Sequence, residues 1–80
     1  MASVISQAVP IELLMTGEHG VVVDVDGSPD FVVRLEEMGL HEGVRVRMVR
    51  PGSPCILEVN HQRFLLRIED TATVVVDVSR

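Results

Sequence analysis

Side chains able to do chemistry are few in this 80-residue chain, which carries three histidines, one cysteine and twelve carboxylates. His19, His41 and His61 stand twenty or more residues apart, and Cys55 has no second cysteine within reach or anywhere else. Metal sites legible in sequence bring ligands together at short spacings such as Cys-x-x-Cys or His-x-x-x-His. No such pattern occurs here, so the expectation is that the chain builds no metal site of its own. A metal bridging two copies, or held adventitiously, is the alternative. Cys55 follows Pro54 at the head of an extended run, with no histidine near it and no nucleophile elbow, and reads as a small buried hydrophobe. Gly17, Gly20 and Gly27 are too widely spaced for a phosphate-binding loop. Neither a catalytic residue nor a cofactor is expected.

The elements that would position these groups are short. Pro10 to Leu14 reads as one helical turn that opens on proline and stops at Thr16 and Gly17. The run from Gly20 to Gly27 reads as a first strand, with Val21, Val23 and Val25 on one face and Asp24 and Asp26 on the other. Ser28 and Pro29 then form an N-cap and first helical residue, with Asp30 in the first turn where the helix dipole favours an acid. Phe31, Val32, Leu35 and Met38 make an apolar stripe, and Gly39 ends the helix in the left-handed conformation. A second strand alternates Val44, Val46 and Met48 with Arg45, Arg47 and Val49, giving one apolar and one basic face. Pro51, Gly52, Ser53 and Pro54 must be a loop, since two prolines in four residues cannot join a central ladder. Cys55–Val59 and Gln62–Arg67 form a hairpin about Asn60 and His61, and Thr73–Val78 supplies a fifth strand after a turn at Asp70, Thr71 and Ala72. Five strands with one helix between the first two predict an all-β chain, a small SH3-like barrel. Residues 1–80 form one domain, with 1–9 a flexible lead-in.

Composition narrows the function classes. Seven arginines, no lysine and twelve acids give a net charge of −5, the wrong sign for a surface that neutralises phosphates. With neither Tyr nor Trp present, there is no aromatic platform on which to stack bases or to seat proline-rich peptides. No apolar run reaches the roughly 20 residues that span a bilayer, and the first ten residues lack a signal-peptide pattern. A lone cysteine suits a reducing compartment. A cytoplasmic location and no direct membrane insertion are expected.

The segment Arg34-Leu35-Glu36-Glu37-Met38-Gly39-Leu40-His41-Glu42-Gly43 resembles the FeoA family, whose members carry RLxxMGLxxG. The likeness continues through the Pro51-Gly52-Ser53-Pro54 loop into Arg63-Phe64-Leu65-Leu66-Arg67 and the closing valines. It implies an SH3-like barrel acting in the cytosol as a non-catalytic accessory of bacterial ferrous iron uptake. The implied partner is FeoB, the membrane transporter with a GTPase domain. It also implies structural roles for Leu35, Met38, Gly39, Gly43, Pro51, Gly52, Pro54, Leu66 and Arg67. Within this frame Val33, Leu40, Arg45 and Arg47 are the expected partner contacts, the first two as an exposed apolar patch and the arginines as a basic face. The competing expectation for Leu40 is that it covers the helix end from within, as caps with an adjacent hydrophobic contact commonly do. A homodimer through edge-strand pairing is compatible with the sequence. The same barrel occurs as the C-terminal domain of metal-dependent repressors, which makes a metal-responsive regulatory barrel the alternative function, although this chain lacks DNA-reading helices.

Overall fold

A computed structural model describes residues 6–69 and 71–79. In chain order these form β1 (Ser6–Pro10), a 3-10 turn (Ile11–Leu13), β2 (His19–Asp26), α1 (Pro29–Glu37), β3 (Arg45–Arg50), β4 (Cys55–Val59), β5 (Gln62–Leu66) and β6 (Thr73–Ser79). All pairings are antiparallel, and the six strands bond in the order β1-β6-β2-β3-β4-β5. The result is a barrel-like all-β fold with one short helix.

The N-terminal segment corrects one expectation. Residues 6–9, assigned to a flexible lead-in, pair with β6 from Ser6 opposite Ser79 to Pro10 opposite Val75. The valine-rich β6 would otherwise present an open edge, and Pro10 is tolerated because it closes an edge strand whose outer side needs no donor. Residues 1–5 of that lead-in lie outside the described residues, as does Asp70 of the predicted last turn.

β2 corrects a second. Gly20 and Val22 face the core, whereas Val21 and Val23 are exposed, 39 % and 40 % respectively. The register against β6 shifts between Val22 and Asp24, so Val23 is an extra residue and the inward phase passes from Val22 to the half-buried Val25. A strict two-residue period cannot anticipate this inversion. Gly20 sits where β6 passes closely, since a Cβ there would lie 3.0 Å from that of Val76.

The helix begins as its sequence dictates, with the Ser28 hydroxyl accepting from the Phe31 amide at 3.2 Å and Pro29 at the first position. Phe31 and Leu35 are its buried residues, and the Phe31 ring and Ala72 both crowd Gly27, where a Cβ would lie 2.9 Å and 3.0 Å from them. Asn60 and His61, at φ 50° and 66°, make the two-residue β4–β5 turn in which both residues are left-handed. The core joins both ends of the chain, from Ile11 and Leu14 through Val46, Met48 and Leu57 to Val74, Val76 and Val78. Among the described residues it contains no buried polar side chain.

Candidate partner-binding surface

The corner after α1 is built by backbone geometry. Met38 is the C-cap that follows the last helical residue Glu37, Gly39 takes φ +84°, the Gly39 amide donates to Glu36 at 2.9 Å and the Leu40 amide donates to Leu35 at 2.8 Å. These two reversed bonds define a Schellman motif, and Leu40 and Leu35, the pair such a motif turns toward each other, both belong to the buried core. Both leucines have no exposed surface. Leu40 is therefore a core residue rather than part of an exposed docking patch, because the motif aims the residue after the glycine back over the last turn. Val33, its expected companion, is 52 % exposed on the solvent side of α1. Gly43 is also left-handed, at φ +88°, and its amide donates to Val22 at 2.8 Å, tying the corner to β2.

The outer face of β3 carries the expected arginines in two environments. Arg45 is exposed. Arg47 grips the facing Glu58 of β4 with two hydrogen bonds, from Nε at 3.2 Å and from a terminal nitrogen at 3.1 Å. Arg63 of β5 approaches the same carboxylate at 3.9 Å. The Arg47 hydrogen bonds hold the Glu58 carboxyl below its ordinary range, and Glu58 in turn holds Arg47 above its own. Arg47 is thus partly spoken for within the sheet, which leaves Arg45 as the freer of the two.

The histidines do not converge into a site. His19 and His61 border one shallow depression with Arg45, Arg47 and Glu58, while His41 lies beyond α1 with its Nδ1 against the Glu42 carbonyl at 3.0 Å. Among the described residues, no three His, Cys, Asp or Glu side chains group so as to hold a metal ion. Cys55 is buried, and burial pushes its thiol up, the opposite of what a nucleophile requires.

A further surface was not singled out in the sequence. Leu65 on β5 is 68 % exposed and, with Ile56 and the Pro51–Pro54 loop, borders an open depression. The signal for it lay in Arg63-Phe64-Leu65-Leu66-Arg67, where strand alternation sends Arg63, Leu65 and Arg67 outward and Phe64 and Leu66 inward.

A family model for the FeoA domain matches residues 9–78. The chain belongs to the FeoA family. No curated protein matches it significantly. Two solved FeoA structures are similar. One, described as an iron uptake regulatory protein, is 26 % identical with a TM-score of 0.78, covering 90 % of this chain and 99 % of that one. The other is FeoA of Stenotrophomonas maltophilia complexed with zinc, 33 % identical with a TM-score of 0.72, covering 86 % of this chain and 89 % of that one. It is described as a procaryotic SH3 domain protein proposed to act as a bacterial ferrous iron transport activating factor. Among the described residues, no helix is long and apolar enough to cross a membrane.

Proposed function

We propose that this FeoA-family chain is a non-catalytic accessory of bacterial ferrous iron uptake that binds the cytosolic part of a FeoB-type transporter. The observation carrying this reading is the contrast between interior and surface. Among the described residues the interior holds no buried polar side chain and no nucleophile with a base, while large apolar side chains and arginines stand outward. Such a molecule has chemistry to offer only through its surface. Val33 and Arg45 are retained as contacts, Arg47 contributes through its pair with Glu58, and Leu40 is withdrawn because reaching it would require opening the core. A bound module can alter a transporter only by favouring one of its conformations, so its affinity must differ between them.

The test is a pull-down of the cytosolic FeoB domain by this chain with a GTP analogue, with GDP and without nucleotide. Binding in any state supports the reading, and a preference for one identifies the step being biased. Absence of binding in all three refutes it.

A further inference from the structure

Charge is divided unequally along the chain. Residues 45–67 carry five arginines and one glutamate, a net charge of +4, whereas the remainder carries two arginines and eleven acids, a net charge of −9. Because β3, β4 and β5 are neighbours both in sequence and in the sheet, this basic segment becomes one surface. Its far margin is β5, which among the described residues bonds to β4 on one side and to no other strand. Along its outer face Arg63 and Leu65 are exposed, as is Arg67 just past the strand's end, and Leu65 stands opposite Ile56, which in turn stands opposite Arg50. The margin is therefore an apolar centre flanked by cations, beside a strand whose backbone is open to pairing on one side.

We infer that the open edge of β5 receives an extended acidic segment of a partner protein, which adds a strand to the sheet. Backbone pairing supplies the register, an apolar side chain of the segment lies against Leu65, and acidic side chains on either side meet Arg63 and Arg67. The inference rests on the reading above that the chain works by binding a partner. A second copy fits this edge poorly. Two β5 strands paired antiparallel about Leu65 would set Arg63 of each against Arg67 of the other, and like charges directly opposite are destabilising. The arginines that discourage self-pairing are the groups that favour an acidic visitor.

A blocked eight-residue peptide alternating Val with Glu, titrated into the isotopically labelled full chain, tests this by amide chemical shifts. Shifts centred on Gln62–Leu66, weakening with salt and absent for a peptide alternating Val with Arg, are expected. Leu65→Glu and Arg67→Glu, both at exposed positions, should each weaken binding at least about fivefold while leaving thermal stability unchanged. Shifts centred elsewhere, equal binding of the two peptides, or indifference to both substitutions would overturn it. So would a concentration-dependent dimer that Leu65→Glu dissolves, which would assign the edge to a second copy. The same variants in the FeoB pull-down separate the two readings. Wild-type binding that survives both substitutions refutes the β5 site and leaves the functional reading intact, whereas no wild-type binding refutes that reading and leaves the peptide titration to decide β5.

Discussion

Replacing Gly39 isolates a backbone effect that few sites in so small a domain offer. Its φ of +84° lies in the region where a side chain crowds the following carbonyl, at a cost of about 1–2 kcal/mol for an ordinary L-residue. A Cβ built there meets no other atom within 4 Å, so the substitution introduces neither a clash nor a cavity. Alanine also removes unfolded-state freedom, which returns about 0.4–1 kcal/mol to the folded side. The net loss for Gly39→Ala is then roughly 1 kcal/mol, and Gly39→Val should exceed it because a β-branched residue resists positive φ most strongly. Asparagine, which tolerates this region, should lose least. For a domain of this size 1 kcal/mol corresponds to about 4–8 °C in melting temperature. Circular-dichroism melts and urea titrations should therefore rank glycine above asparagine, alanine and valine in that order, with an unchanged denaturant slope. An unaltered melting temperature for Gly39→Val, or asparagine falling below valine, would refute the assignment of this corner to a left-handed cap.

The neighbouring Leu40 gives the opposite kind of result. Leu40→Ala should lose about 2–5 kcal/mol through cavity formation, and Leu40→Glu should not fold, whereas a folded Leu40→Glu protein in a urea titration would return that residue to the surface. For Glu58 the sign follows from its lowered carboxyl: the Arg47 pair stabilises the fold above the ordinary carboxylate range and is lost as pH falls through the depressed native value. Wild type should accordingly be more stable than Glu58→Gln at pH 7, with the difference shrinking below about pH 4, and a difference constant across that range in parallel pH-dependent melts would exclude the pair as its source.

Much of the fold was legible because its decisive signals are local. Ser28-Pro29, Gly39 and Asn60-His61 each demand a particular backbone conformation, and each adopts it. What escaped depended on partners distant in sequence. β1 exists because β6, more than sixty residues later, offers it an edge. The inward face of β2 is decided by a bulge against the same strand, so Val21 and Val23 point outward although their spacing from Val25 suggests one apolar face. Leu40 was legible only as a choice between packing and exposure, which the Schellman geometry resolves in favour of packing. Arg45 and Arg47 fall on the outer face as alternation requires, but the grip of Arg47 on Glu58 depends on the β3–β4 register, which an irregularity between Met48 and Arg50 adjusts.

The net charge of −5 used to disfavour phosphate ligands is an average over two unlike regions. In a fold whose strands were interleaved, that average would describe every surface. Here β3 to β5 form a continuous meander, so composition along residues 45–67 is carried intact onto one part of the sheet, while the acids of β2, α1 and β6 remain elsewhere. This basic surface still offers no Tyr or Trp on which bases could stack, and its large exposed apolar side chain is Leu65 rather than a ring. An aliphatic centre between two arginines on an open strand complements a carboxylate-bearing peptide backbone in both charge and hydrogen bonding. The free edge of β5, more than the helix corner that carries the family motif, is therefore where a partner strand would find its complement.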